Sequence, residues 1–245
     1  MSDLTFLTKE QCFGDEKLDI FKKRGIKAAI TDFSILLGGY VEMYHLDKDS
    51  SLEGRTGSYW TKSDYFAKSS NSANSVLIVN KAGGENQNFF NDRYIGARPV
   101  LLFSSIDSIP TNGKNVKRAE DGILEVEYGY YPQKAVLRDM QDRLERAYKS
   151  GTISRTKNSY TTDSTRYNDY GTSFQPQTHQ EYEYNGKRFV RVEENISILG
   201  FDEPKLSNGE SYKDGDNVWV EVQPVKWLVD EKSHMMITEK LIFAG

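Results

Sequence analysis

Three histidines, His45, His179 and His234, are the residues whose chemistry best suits acid–base or nucleophilic catalysis. Nucleophilic catalysis needs a nucleophile, a base and a group that orients the base. His179 falls in a polar stretch and His234 in a Lys-Ser-His turn between predicted strands. A solvated loop histidine explains each position as well as a catalytic one does. The sequence therefore predicts a protein that is not an enzyme, with a hydrolase that uses His179 or His234 as the remote alternative.

Oxygen ligands for a cation occur close together in one turn, at Asp214, Asp216 and Asn217. Calcium prefers oxygen donors at such spacing. Asp-Gly is also what a hairpin turn requires, so these residues are only weak calcium candidates, and neither a metal nor another cofactor is predicted. Cys12 is the only cysteine, which excludes an intramolecular disulfide framework and a cysteine-based metal cage.

The composition favours a domain with much surface and long polar loops. The 245 residues are 37% hydrophobic, and 15 of them are tyrosines, which suit recognition surfaces but are equally common in half-buried strands. The mean hydropathy is -0.66. The net charge of -4 argues against a nucleic-acid partner. The sequence contains no secretory signal and no run of about 18 apolar residues, so no membrane partner is expected.

The hydrophobic pattern predicts many strands and one clear helix. The run RYIGARPVLLFSSI, 93–106, is the most strand-like stretch, and its proline suits the entrance of a strand. The run 59–66 is its predicted partner strand, and Asn185-Gly186 predicts a hairpin. The amphipathic helix is expected at 135–149. The stretch 26–44 reads as strand, turn and strand, and 152–178 as a long polar loop. The fold class that follows is α+β with mainly antiparallel strands.

A polar stretch with proline, asparagine and glycine, 108–121, divides the chain. We predict a β-rich module at 1–107 and a second β-rich module at 122–245, which contains the helix. The long loop carries aromatic residues among Thr, Ser, Asn and Asp, which is the composition of an adaptable contact surface. The binding candidates are therefore Tyr160, Tyr167, Tyr170 and Phe174, unless the loop has no role. Structural roles are expected for Trp60, Arg98, Pro99, Trp219 and Trp227.

Two pairs of motifs resemble a known family. Tyr59-Trp60-Thr61-Lys62-Ser63 is followed by Gly96-Ala97-Arg98-Pro99-Val100, and Tyr128-Gly129-Tyr130-Tyr131-Pro132-Gln133 by Pro224-Val225-Lys226-Trp227-Leu228-Val229. They resemble bacterial and phage modules of unknown function with "W-x-R-S … G-V-R-P" and "F-G-x-Y-P-Q … P-I-x-W-x-V" signatures. Those modules look related to the C-type-lectin-like fold of formylglycine-generating enzymes and phage receptor-binding variable proteins. The resemblance implies C-type-lectin-like modules, with Tyr131 and Pro132 also structural.

The order of the motifs departs from that family, because the Arg-Pro motif comes first here. Either the chain holds the end of one module and the start of a second, or the module is permuted. In the first case the second module is incomplete, and further chain or a neighbouring subunit would complete its sheet by strand addition. Formylglycine-type chemistry would need a pair of copper-binding cysteines, which one cysteine cannot supply.

The resemblance implies a structural or binding protein of a bacteriophage virion: a head or tail fibre, its anchor or a decoration protein. The alternative is a bacterial carbohydrate- or protein-binding module of lectin-like fold. The expected partners are other virion proteins or copies of the same chain in a homo-oligomer, with a glycan as a further candidate. The expected location is the virion, after synthesis in the host cytoplasm.

Overall fold

The computed structural model describes residues 4–37, 56–64, 75–89, 95–113, 116–161, 166–167, 173–174, 177–193, 206–210, 212 and 215–244. The chain forms two compact units, neither of which is continuous in sequence. Unit 1 comprises Met1–Ile30, Gly39–Tyr130 and Pro224–Ala244, and unit 2 comprises Thr31–Gly38, Tyr131–Gln223 and Gly245. The predicted division at 108–121 is not a boundary between these units.

Short helices and many strands make up the described residues. The α-helices are α1 (Lys9–Phe13), α2 (Asp19–Arg24), α3 (Asp32–Leu36) and α4 (Arg138–Lys149), and a 3-10 helix covers Ile106–Ser108. The first strands are β1 (Leu4–Thr5), β2 (Ala28–Ala29), β3 (Thr56–Gly57), β4 (Tyr59–Asp64), β5 (Ser75–Val79), β6 (Glu85–Phe89), β7 (Gly96–Ala97), β8 (Val100–Leu102) and β9 (Val116–Arg118). The remaining strands are β10 (Leu124–Ala135), β11 (Ser154–Thr161), β12 (Arg166–Tyr167), β13 (Ser173–Phe174), β14 (Thr178–Tyr184), β15 (Lys187–Glu193), β16 (Asn217–Asp230), β17 (Met235–Thr238) and β18 (Phe243–Ala244).

Antiparallel pairing dominates, which confirms the predicted α+β class with mainly β structure. Strands β10 and β16 are the longest, and each contributes residues to both units. The chain passes from one unit to the other within both of these strands, whereas 108–121 lies inside unit 1. No helix among the described residues is long and apolar enough to cross a membrane.

Unit 1 contains two sheets that share the Arg98-Pro99 segment. One has the order β1-β8-β17-β16, and the other has the order β18-β7-β4-β5-β6. The predicted strand 93–106 is in fact two short strands, because β7 lies in the second sheet and β8 in the first. The proline between them cannot donate to a ladder, which suits a chain that leaves one sheet and enters the other. The predicted pairing of 59–66 with this run is confirmed by β4 and β7, which are parallel with Tyr59 opposite Gly96.

Unit 2 is built on an antiparallel sheet with the order β16-β15-β14-β11. The predicted hairpin is confirmed: β14 and β15 are joined by Asn185 and Gly186, with φ of 51° and 75°. Positive φ at both central residues is the geometry in which this dipeptide is favoured. The predicted helix is α4, which begins at Arg138 rather than at 135. Leu144 on α4 packs into a core with Phe189 and Trp219.

Two local predictions are wrong. The stretch predicted as strand, turn and strand contains α3, which begins after Thr31, whose side-chain oxygen accepts a hydrogen bond from the Ser34 N–H. Such a short apolar run has no periodicity that separates helix from strand. The predicted polar loop 152–178 contains the eight-residue strand β11. Its half-buried positions are Thr156 and Tyr160, so the strand lacks the apolar alternation by which strands are recognised.

The lone cysteine offers a probe of unit 1. Cys12 is fully buried in α1, and burial raises the pKa of its thiol to about 12, against the smaller opposing effects of the Arg98 and Lys17 charges. Because the thiolate is the reactive form, we expect Cys12 in the folded chain to react with a disulfide reagent roughly a thousandfold more slowly than in urea. The measurement is the rate of colour release at about pH 8. Equal rates in the two states would contradict the burial of this thiol.

Candidate functional site

The chemistry-capable residues of unit 2 lie on one face of its sheet. His179 and Glu181 are two residues apart on β14, so their side chains point to the same face. Tyr160 of β11 pairs directly with His179. Phe33 of α3 and Tyr131 of β10 complete the group through ring contacts. We call these five residues the His179–Glu181 cluster.

Phe33 is the centre of the aromatic part of the cluster. The distance between ring centroids is 5.5 Å from Phe33 to Tyr131, 6.0 Å to Tyr160 and 5.5 Å to His179. The Tyr131 and Tyr160 rings are 5.8 Å apart. All four contacts are edge-to-face, a geometry that adds about 0.5–1.5 kcal/mol per aromatic pair beyond the burial of area. The rings thus form a packed core rather than an open cleft.

Glu181 is a fully buried carboxylate with several hydrogen-bond donors. Its Oε1 accepts hydrogen bonds from the Thr156 hydroxyl and the Asn158 amide, each at 3.0 Å, and its Oε2 accepts one from the Tyr160 hydroxyl at 2.9 Å. The Arg188 Nη1 lies 3.8 Å from Oε2. A buried carboxylate is tolerated only with such partners. Because three of these donors belong to β11, Glu181 fixes that strand to the sheet.

Burial also determines the protonation of the neighbouring groups. It raises the pKa of the Tyr160 hydroxyl, and the negative charge of Glu181 acts in the same direction. It lowers the pKa of His179, against the smaller effect of a hydrogen bond with the Arg191 backbone. The His179 Nε2 is buried and has no hydrogen-bond partner among the described residues. His179 is therefore a packed side chain whose burial favours the neutral form.

This burial predicts a pH dependence of stability. The folded pKa of His179 lies below its unfolded value of 6.5, so the folded state resists protonation. Stability is complete above the unfolded pKa and falls as the pH decreases through 6.5 toward the folded pKa. Between about pH 8 and pH 5, we expect the stability of His179→Phe to fall less than that of the unmodified chain. The measurement is the urea midpoint of unfolding at each pH. His234→Phe is the matched control at an exposed histidine. An unchanged slope in His179→Phe would contradict the expectation.

Arg98 is buried in unit 1 and holds several backbone segments. Its Nε donates to the Thr238 carbonyl at 3.0 Å, and its Nη1 donates to the Ile26 carbonyl at 3.0 Å and to the Tyr59 hydroxyl at 3.3 Å. The guanidinium carbon is 5.2 Å from the centroid of the Phe21 ring and 5.4 Å from that of Tyr59. All of these contacts are structural. Pro99 is buried beside Arg98.

The tryptophans differ in burial. Trp219 and Trp227 are buried, and Trp60 is half-buried. The Trp227 indole N–H donates to the Tyr128 carbonyl at 2.9 Å, and that of Trp219 donates to Glu145 at 3.1 Å. Tyr131 and Pro132 are also buried. Burial raises the pKa of the Tyr131 hydroxyl.

The other candidates are not brought into one site by the described residues. Tyr167 and Phe174 fall in the paired strands β12 and β13, whereas Tyr170, His45 and Asp214 lie outside the described residues. Asp216 is exposed and Asn217 half-buried. No group of three or more His, Cys, Asp and Glu side chains in the described part of the chain is arranged to hold a metal ion. His234 lies exposed in a turn with φ of 53°.

Three buried polar residues with large structural roles are absent from the sequence prediction. The Gln141 amide bonds both backbone groups of Trp219, accepting from its N–H at 2.6 Å and donating to its carbonyl at 3.0 Å. The Asp230 carboxylate accepts from the Asp19 N–H at the start of α2. Asp32 is the third. Only Gln141 carries a signal in the sequence, since it lies between Leu137 and Leu144 on the apolar stripe of the predicted helix.

The comparisons with known proteins do not assign this chain to a group: no family model matches it, and neither does any curated protein or solved structure.

Proposed function

We propose that the chain is a non-enzymatic structural or binding protein of a bacteriophage virion, built on C-type-lectin-like modules. The observation that supports this is the packing of both signature pairs. Tyr59 and Gly96 are paired in adjacent strands, and the Arg98 side chain donates to the Tyr59 hydroxyl. In the second pair, Trp227 donates to the Tyr128 carbonyl across 99 residues of sequence. In each pair, the two motifs are distant in sequence but in contact in the fold, as expected if they are the signature of one module.

The polar side chains that could serve in catalysis, Glu181 and His179, contact structural elements of unit 2. Glu181 binds β11, and His179 packs against Phe33. A protein whose reactive side chains hold its own strands together performs its role through its surface. Fibre, anchor and decoration proteins of a virion act in this way, because they bind copies of themselves and neighbouring virion proteins.

The sheet of unit 2 offers an edge for such a contact. Strand β11 is the last strand in the order of the described sheet, and it is eight residues long. The backbone groups of an edge strand can pair with another chain. Its side chains include Arg155 and Lys157, which are exposed, so that pairing would be selective for an acidic partner strand rather than indiscriminate.

The test is the molar mass of the purified chain by light scattering over a concentration series. A trimer or larger closed oligomer is the expected result, and Ser159→Asp on exposed β11 should lower the mass more than Ser104→Asp, which adds the same charge at an exposed serine of unit 1. A monomer with a cooperative melt would contradict the proposal. If that monomer bound glycans, and Tyr167→Ala abolished the binding, the bacterial lectin-like module would replace it.

A further inference from the structure

Unit 2 contains a cleft rich in basic side chains that have no part in the structural contacts described above. It is lined by Arg143, Arg146, Ala147, Lys149, Ser150, Thr152 and Tyr184. The first residues belong to the last two turns of α4, and Tyr184 ends β14. The cleft is open and has a volume of about 650 Å³. That volume falls in the range of small-ligand sites, about 300–1,000 Å³.

The cationic side chains share one face of α4. Arg143, Arg146 and Lys149 are three residues apart, and residues three apart on a helix are neighbours on its surface. Among the residues that the structure describes, no carboxylate lines the cleft. Like charges placed in this way repel one another, so the bare cluster costs free energy that a bound anion would recover.

Two of the three acidic residues of α4, Glu145 and Asp142, lie beside cations outside the cleft. Both oxygens of Glu145 accept hydrogen bonds from Arg191 at 3.1 Å. Asp142 pairs with Arg138 at 3.8 Å. Among the described residues, neither Arg143 nor Arg146 forms an ion pair or a side-chain hydrogen bond. Lys149 has only a long contact of 3.6 Å to Glu145. Two guanidinium groups are therefore available to a ligand.

The remaining wall of the cleft is held in place by the end of α4. Gly151 has a φ of 69°, and the Thr152 N–H donates to the Ala147 carbonyl at 2.9 Å. The Ser150 and Thr152 hydroxyl oxygens are 2.9 Å apart. Both hydroxyls also donate to the Ala147 carbonyl, at 3.2 and 3.3 Å, so they fix this turn beside the arginines and leave the binding of an anion to the guanidinium groups.

We propose that this cleft binds a phosphate or sulfate group carried by a saccharide. Paired arginines suit tetrahedral oxyanions, because each guanidinium offers two parallel N–H donors to two oxygens. Tyr184, which is half-buried and packs against the core of unit 2, lines the cleft beside the arginines, and the cleft is large enough for more than the anion alone. A saccharide is favoured over nucleic acid because the chain as a whole is acidic. This binding is a function beyond assembly and does not depend on the oligomeric state.

The experiment is an NMR titration of backbone amides with inorganic phosphate, a sulfated oligosaccharide and its desulfated counterpart. We expect shifts at Ser150, Thr152 and Tyr184, with the sulfated oligosaccharide binding more tightly than phosphate and the desulfated one not binding. Arg143→Gln with Arg146→Gln should weaken binding by about tenfold or more. Arg138→Gln is the control for each of the two single variants, since it also removes one positive charge from α4 but lies outside the cleft.

Each contrary result overturns the proposal. Equal weakening by Arg138→Gln would reduce the effect to general electrostatic attraction. Tighter binding of phosphate than of the sulfated oligosaccharide would limit the site to a free anion. If single-stranded DNA, titrated in the same way, bound more tightly than the sulfated oligosaccharide, the cleft would be assigned to nucleic acid. If none of these ligands changed the spectrum of the unmodified chain, the cleft would be no more than a solvated face of α4.

Discussion

Arg98→Leu is expected to lower the free energy of unfolding of unit 1 by about 3–5 kcal/mol. The substitution removes the donors to the Thr238 and Ile26 carbonyls and to the Tyr59 hydroxyl. Each buried polar group that loses its partner costs about 1–3 kcal/mol, and the Ile26 carbonyl keeps the Tyr59 hydroxyl as a donor at 2.8 Å. The leucine also leaves space between the Phe21 and Tyr59 rings, which adds a cavity cost.

The measurement is urea denaturation followed by circular dichroism and by the reactivity of Cys12. Arg118→Leu is the matched control, because Arg118 forms an exposed ion pair with Glu231 at 2.8 Å. Exposed ion pairs contribute about 0–1 kcal/mol, so this control should remain close to the unchanged chain. Arg98→Lys should be only partly tolerated, since one ammonium group cannot reach all three acceptors in the planar geometry of a guanidinium. A loss for Arg98→Leu no larger than that of Arg118→Leu would contradict the structural role of this arginine.

The part of the fold that sequence reasoning recovers is the part that local pattern determines. The Asn185-Gly186 hairpin follows from the positive φ that its turn requires, and α4 follows from a long apolar stripe. Strand β11 could not be predicted because its inward positions are polar. Thr156 and Tyr160 bind Glu181, which comes later in the chain, so their structural value depends on a contact that local pattern does not contain.

Dependence on contacts that are distant in sequence also decides which residues of the candidate site could be predicted. Tyr160 is nominated by composition as part of a contact surface, and the structure gives it a half-buried position against Phe33 and Glu181. The basic cleft combines the end of α4 with Tyr184, which is 35 residues beyond Lys149 in the chain. The spacing of Arg143, Arg146 and Lys149 could have indicated its cationic face, but only the fold removes Glu145 from that face by turning it toward Arg191.

Asp32→Ala is expected to lower the free energy of unfolding of unit 2 by about 3–5 kcal/mol. The carboxylate is buried, and it accepts hydrogen bonds from the Ala135 N–H at 2.7 Å, the Ser207 N–H at 2.8 Å and the Ser207 hydroxyl at 2.5 Å. These bonds connect α3 to two segments that are 103 and 175 residues away in sequence. Alanine leaves the buried Ala135 N–H without an acceptor, removes the acceptor of the Ser207 N–H at an exposed residue, and detaches α3, which carries Phe33.

Because α3 carries Phe33, the loss of stability in Asp32→Ala should begin in one region of unit 2. If Asp32 holds α3 in place, hydrogen exchange in Asp32→Ala should increase at α3 and at the His179 end of β14 before it increases at the α4 core. Asp142→Ala, at an exposed aspartate of α4, is the matched control and should change stability by less than about 1 kcal/mol. Ser207→Ala removes one donor and should cost about 1–2 kcal/mol. The double variant Asp32→Ala with Ser207→Ala should cost less than the sum of the two, because the residues share a bond. Strict additivity, or exchange that rises uniformly through unit 2, would show that the carboxylate does not act as the anchor of α3.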